Sequence, residues 1–194
     1  ILHSISSQHV YFSRTCNVSR EKEVNEFVTE FEGKFGAADV LINNAGFGIF
    51  KSVLEISKTE FESVLATNLR GVFLFTRAAL PAMRLKRSGT VITISSLAGK
   101  SGFKGGTAYC ASKFAVRGMM QCLFLEVRTD NIRFLTICPG SVETDFFVNN
   151  EHGSEVKPKK VLNAEDVACV ELAVLLPQNA DISEIDIRPT NPKG

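Results

Sequence analysis

Three short apolar runs, each stopping at small or polar residues, constrain this chain more than anything else in it. Asp39-Val40-Leu41-Ile42 ends at Asn43-Asn44-Ala45-Gly46, Thr90-Val91-Ile92-Thr93-Ile94 ends at Ser95-Ser96, and Ile132 to Cys138 ends at Pro139-Gly140. Between the runs lie segments whose apolar residues recur at helical spacing. Nearly continuous apolar strands alternating with long helices predict an α/β fold: a doubly wound parallel sheet covered on both faces. In such a sheet ligands bind outside the carboxyl ends of the strands, so three strand ends of similar character mark one edge as the candidate site. With 194 residues and no repeat, low-complexity tract or linker, residues 1–194 read as a single domain.

The helices carry their own start signals. Ser19 is placed to cap a helix with the stripe Val24, Phe27, Val28 and Phe31, closing near Gly33 to Gly36. Ser57-Lys58-Thr59-Glu60 is a capping box opening a long helix with Phe61, Val64, Leu65, Leu69 and Val72 on one side. Pro81 is expected to break or kink that helix, or to mark its last turn. A further helix runs from about Thr107 to Arg128. Asn163 caps the last one, with Val167, Val170, Leu172 and Val174 as apolar positions. A strand is expected near Val10–Thr15 and a closing strand at Ile185-Asp186-Ile187. The loop from Phe146 to Leu162 follows the third run, where open α/β sheets often place a mobile lid.

Bulk properties remove several function classes. The 22 Lys+Arg against 21 Asp+Glu give a net charge of +1, which offers nucleic acid or an anionic membrane no basis for attraction. No apolar run is long enough to span a bilayer. The cysteines at 16, 110, 122, 138 and 169 form no C-x-x-C, and His3, His9 and His152 are distant from them in sequence, so no metal-ligand spacing exists. Free thiols in apolar stretches point to a reducing compartment, the cytoplasm. The chain starts at Ile1, so a targeting segment ahead of it stays an open possibility.

Chemistry concentrates at Tyr109-Cys110-Ala111-Ser112-Lys113. On a helix Tyr109 and Lys113 are i and i+4 and share a face. A cation beside a phenol favours the phenolate and draws the tyrosine towards general acid–base work near neutral pH. Ser96, at the second strand end, can donate to a substrate oxygen. Asn68 lies on the apolar face of its helix and needs partners: either neighbouring backbone or a fixed water at the inner end of the site. Gly46 and Gly140 lack a Cβ and would let a flat ligand approach the backbone. Phe103, Phe146, Phe147 and Val148 suggest an apolar pocket near the crevice.

The ordered set Asn43-Asn44-Ala45-Gly46, Asn68, Ser96, Tyr109-x-x-x-Lys113 and Pro139-Gly140-x-Val142-x-Thr144 resembles the short-chain dehydrogenase/reductase family. The likeness runs from about residue 16 to the end. It implies a Rossmann-type oxidoreductase that moves a hydride between NADP or NAD and the carbonyl or secondary alcohol of a small molecule. By the same resemblance Tyr109 is the general acid/base and Ser96 orients the substrate oxygen. Lys113 lowers the Tyr109 pKa and bonds the nicotinamide ribose, and Asn68 holds a proton-relay water. Asn43, Ala45 and Gly46 line the adenosine side, while Pro139, Gly140, Val142 and Thr144 flank the nicotinamide. Asn17 stands where the family usually has Asp contacting adenine. A homodimer or homotetramer is implied, formed through the helices bearing Phe61, Leu69, Phe73 and Phe75 and Met119, Met120, Leu123 and Phe124.

The resemblance also implies what this chain lacks. The family's opening strand, glycine-rich turn, helix and second strand have no counterpart here, since the earliest glycine is Gly33. Without two strands the Val40 run should form an exposed apolar edge. A longer parent protein is therefore expected. The same absence supports the alternative of a non-catalytic Rossmann-type binding protein, against which the intact Asn68, Ser96, Tyr109 and Lys113 count.

Overall fold

The computed structural model describes residues 10–144, 146, 161–168, 174–177 and 180–190. Four strands, β1 (Val40–Asn43), β2 (Gly89–Ile94), β3 (Ile132–Pro139) and β4 (Glu184–Ile187), form a sheet in the order β1-β2-β3-β4. All three pairings are parallel, with Val40 opposite Thr90, Gly89 opposite Ile132 and Thr136 opposite Glu184. The expected doubly wound parallel sheet is therefore present. Because the strands share one direction, their carboxyl ends meet at one edge.

Strand alternation sorts the core into two layers. Leu41, Val91 and Phe134 face α3 (Gly71–Lys86) and α4 (Thr107–Val127), where Val72, Met83, Val116 and Met120 complete the packing. Ile92, Leu135 and Ile137 face the other way, against Val40, Ile185, Ile187 and Val167 of the short helix α5 (Ala164–Val167). The second layer is thin at β1, where Ile42 is 53% exposed. Among the described residues β1 has no partner on its outer side, which is the apolar edge the sequence leads one to expect.

The segment Val10–Thr15 is not a strand. It lies along α1 (Glu21–Phe35): the Phe12 and Phe27 rings are 5.4 Å apart, and Arg14 donates to Glu26 at 2.6 Å and Glu30 at 3.1 Å. An isolated strand leaves its backbone groups unpaired, and with no neighbour to complete a ladder the side chains decide the path. Ser19 does not cap α1 either. Its hydroxyl donates to Asn17 Oδ1, and the Glu23 carboxylate accepts the Asn17 N–H at 2.7 Å. Phe27 then joins α1 to α3 through Phe75, at 5.7 Å and 71°.

The capping box at Ser57 forms as expected, with Ser57 Oγ accepting the Glu60 N–H and the Glu60 carboxylate accepting the Ser57 N–H. The helix it opens, α2 (Lys58–Leu65), does not pass straight into α3. A π turn, Ala66–Arg70, joins them. Buried residues follow at Val64, Asn68, Val72 and Thr76, steps of four that a wider turn accommodates and a plain α-helix would rotate out of line. Pro81 lies inside α3 on an exposed face, and the helix runs on to Lys86. The expected helices over 107–128 and at Asn163 are found. Val170 and Leu172 of the latter, Phe147, Val148, Cys169 and most of the loop 146–162 lie outside the described residues.

Ser57→Ala should lower stability by about 1 kcal/mol through loss of the cap. Urea unfolding checks it, and a change within error would remove the box from the account of how α2 starts.

Candidate functional site

At the end of β1 the chain changes role within four residues. Asn43 is buried, and its Nδ2 donates to Thr76 Oγ1 and Thr93 Oγ1, both at 3.3 Å. That ties β1 to α3 and β2, so Asn43 sits within the fold rather than on the cleft. Asn44, Ala45 and Gly46 are exposed. The next residue, Phe47, is clamped by Asn68: its N–H donates to Asn68 Oδ1 at 3.0 Å, and Asn68 Nδ2 donates to the Phe47 carbonyl at 2.8 Å. Asn68 Nδ2 also donates to Ser112 Oγ at 3.0 Å, whose hydroxyl donates to the Tyr109 carbonyl at 2.7 Å. One buried amide thus fastens the loop after β1 to the helix that carries Tyr109. Both its N–H groups are used, which leaves an acceptor position on Oδ1 for a water.

Gly46 is dictated by this clamp. A Cβ there would lie 3.1 Å from Asn68 Oδ1 and 3.7 Å from Lys113 Nζ. Gly140 differs from expectation: its missing Cβ faces Pro189 and Leu97 at ordinary contact distance, not an open crevice.

The β2 and β3 ends supply the polar centre. Ser96 is extended at φ −172°, its Oγ accepting the Ala98 N–H at 3.1 Å and facing the Pro139 carbonyl at 3.5 Å. Its side chain hydrogen-bonds the Tyr109 phenol. Lys113 is 7% exposed, and its Nζ donates to the Ile94 carbonyl at 2.8 Å while lying 5.7 Å from the centre of the Tyr109 ring. Ser96, Tyr109, Lys113, Asn68 and Gly46 therefore come together. Val142 pairs with Leu162 in a short parallel bridge, and Thr144, exposed, accepts the Phe146 N–H. Asn17, also exposed, is occupied by Ser19 and Glu23.

The electrostatics run against one expectation. Burial pushes the Tyr109 phenol above its ordinary range, with the Ser96 hydrogen bond opposing. Burial also draws Lys113 down to about 8. Low polarity disfavours the charged form of each group. The ammonium is held by the Ile94 carbonyl, and it meets the ring rather than the phenolic oxygen.

Sequence spacing gave no signal for the supports of this centre. Ser95 Oγ donates to the Lys113 carbonyl at 3.2 Å. A Cβ on Gly99 would meet that same carbonyl oxygen at 2.8 Å, so the turn after Ser96 is pressed onto α4. Arg117 holds the turn there, donating to the Gly99 carbonyl at 2.7 Å and to Glu184 at 2.7 and 3.2 Å. Cys138, Glu184 and Asp186 bring ligand-type atoms within 4.8 Å of one another. Lys100 and Arg117 sit on both carboxylates, so cationic side chains already supply the charge a metal would bring. Phe50 was likewise missed: it joins Phe103 and Phe146 around Tyr109.

Comparison with known proteins gives a consistent picture. The sequence model of the short chain dehydrogenase family matches residues 2–155. The sepiapterin reductase of Chlorobaculum tepidum is 30% identical over 177 residues, which cover 91% of this chain and 72% of the relative. The NADP-dependent 3-hydroxy acid dehydrogenase of Schizosaccharomyces pombe is 31% identical over 186 residues, covering 92% and 72%. Among solved structures, the alcohol dehydrogenase of the archaeon Thermococcus sibiricus complexed with 5-hydroxy-NADP superposes with a TM-score of 0.81 at 28% identity, covering 91% of this chain and 73% of that one.

Two outcomes follow from the geometry. Gly99→Ala should cost about 1–3 kcal/mol, because backbone rather than a flexible side chain opposes the new methyl; an unchanged urea midpoint would contradict the close packing on α4. Lys113 is held at about 8 against an ordinary 10.5, so between those values the unfolded chain binds more protons than the folded one. The Lys113 contribution to stability should therefore rise with pH from about 8 towards 10.5 and stay at its lowest below 8. Urea unfolding of wild type and Lys113→Met at several pH values tests this, the expectation being a rise in the first that the second lacks.

Proposed function

Since the chain belongs to the short-chain dehydrogenase family, we propose that it moves a hydride between a nicotinamide cofactor and a carbonyl or secondary alcohol, with Tyr109 passing the proton. As a member it is an NAD(P)-dependent oxidoreductase. The observation that carries the proton-transfer reading is the meeting of Ser96, Tyr109 and Lys113 at the carboxyl edge of the sheet.

The residues suit the cofactor. The Lys113 ammonium has one hydrogen-bond acceptor among the described residues, the Ile94 carbonyl, which leaves two N–H groups for acceptor atoms such as a ribose diol. The exposed Ala45–Gly46 turn borders the same lysine and would line the adenosine side, with Asn17 further out. Pro139, Gly140, Val142 and Thr144 would flank the nicotinamide, which supplies or accepts the hydride when bound. Asn43 acts through the backbone it anchors, and Asn68 through its clamp on Phe47 and the water its free acceptor position can hold.

Ser96 hydrogen-bonds the substrate oxygen and Tyr109 exchanges a proton with it. A phenol raised by burial is neutral at physiological pH, which is the form needed to donate. Reduction is thus served at neutral pH, whereas alcohol oxidation needs the phenolate and gains as pH rises. The Ser96 hydrogen bond acts to lower the phenol.

We also assign the protein to the cytoplasm, where Cys16, Cys110, Cys122 and Cys138 would stay as free thiols. No helix among the described residues is long and apolar enough to cross a membrane. A homodimer or homotetramer through the outer faces of α3 and α4, where Phe73, Phe114 and Leu125 are exposed, completes the reading. A monomeric mass by light scattering would rule that assembly out.

Tyr109→Phe should lower kcat by about 10²–10⁴-fold while NADPH still binds. Ser96→Ala should move the rising limb of the oxidation pH profile to higher pH. Carbonyl turnover untouched by Tyr109→Phe would remove the tyrosine from the reaction.

A further inference from the structure

We infer that the site takes an uncharged carbonyl bearing an aromatic or similarly bulky apolar group, an aryl ketone being the type; this rests on the hydride-transfer reading above. Three phenylalanines from three different strand-end loops converge on the proton donor. Phe50 follows β1, Phe103 follows β2 and Phe146 follows β3. The Tyr109 ring lies 5.6 Å from Phe50 at 78° and 5.6 Å from Phe146 at 56°. Phe50 in turn lies 5.7 Å from Phe103 and 6.3 Å from Phe146.

This is a wall and not a piece of core. Both core layers lie elsewhere, on the two faces of the sheet. None of the three rings is fully buried, and Phe103 is 50% exposed. The backbone is shaped to admit them. A Cβ on Gly48 would stand 2.6 Å from the Phe50 ring and 3.2 Å from the Phe146 ring, and one on Gly106 would stand 2.7 Å from the Phe103 ring. Glycines that make room for half-exposed rings beside a proton donor build a surface for edge-to-face contact with an aromatic substituent.

Charge points the same way. A substrate carboxylate needs a cation, and the nearby cations among the described residues are engaged. Lys51 is bound to Glu60 at 2.6 Å, Arg117 to Glu184, Lys100 to Glu184 and Asp186, and Lys113 to the Ile94 carbonyl. Lys104, exposed beside Phe103, is the residue a carboxylate would have to recruit.

The test uses the full-length protein with NADPH and three substrates: phenyl methyl ketone, a short aliphatic ketone and a 3-oxo acid. The expected kcat/KM for the aryl ketone exceeds that for the oxo acid by roughly tenfold or more. Phe103→Ala should lower the aryl ketone value by about tenfold and the aliphatic ketone value far less, a change of ratio that a folding defect would not produce. Preference for the oxo acid, lost in Lys104→Ala, would overturn the substrate class and leave hydride transfer standing. An unaltered ratio in Phe103→Ala would do the same. No turnover of any of the three, or of a wider carbonyl panel, would overturn both readings together.

Discussion

Everything at this site depends on four strands running in one direction. A parallel pair cannot close with a tight hairpin, so each strand must hand over to a crossover and each crossover must leave from the same edge. In this chain that rule brings the turns after β1, β2 and β3 side by side, although their residues are some fifty positions apart in sequence. Asn68, Ser96 and Tyr109 belong to separate segments for that reason. The backbone direction gathers them, and short-range hydrogen bonds then fix their distances.

Those hydrogen bonds form a web with α4 at its centre. Asn68 reaches α4 at Ser112, Ser95 reaches it at the Lys113 carbonyl, and Arg117 reaches back from it to Gly99. Among the described residues no buried side-chain nitrogen or oxygen lacks a partner. In a region of low polarity a half-satisfied network would be costly, whereas a complete one holds a single arrangement. The rigidity matters because proton transfer requires the phenol and the acceptor oxygen to stay within hydrogen-bond reach.

Much of this could be read from the chain before any coordinates. The apolar runs located three strands to within a residue or two, the Ser57 box located a helix start, and the i, i+4 relation put Tyr109 and Lys113 on one face. What escaped reading depended on contacts between distant segments. Val10–Thr15 has the composition of a strand, but a strand exists only where another can pair with it, and here Arg14 and Phe12 bind α1 instead. The Tyr109 pKa was misjudged because spacing shows that a lysine is near and not how deeply both groups are buried. Phe50 and Gly99 carry no motif. Their roles come from neighbours at 5.6 Å and 2.8 Å that no local pattern discloses.

The π turn at Ala66–Arg70 has one more implication. It holds one residue beyond what a regular turn requires, so the rods on either side are out of phase by design. Excising a single residue there would rotate everything downstream by about 100°. Met83, Thr76 and Ala79 would swing towards solvent, and Phe73 and Arg77 would be driven against the sheet. Insertions and deletions in this stretch are thus not interchangeable with changes in loop length: the turn works as a spacer that keeps two helices facing one core.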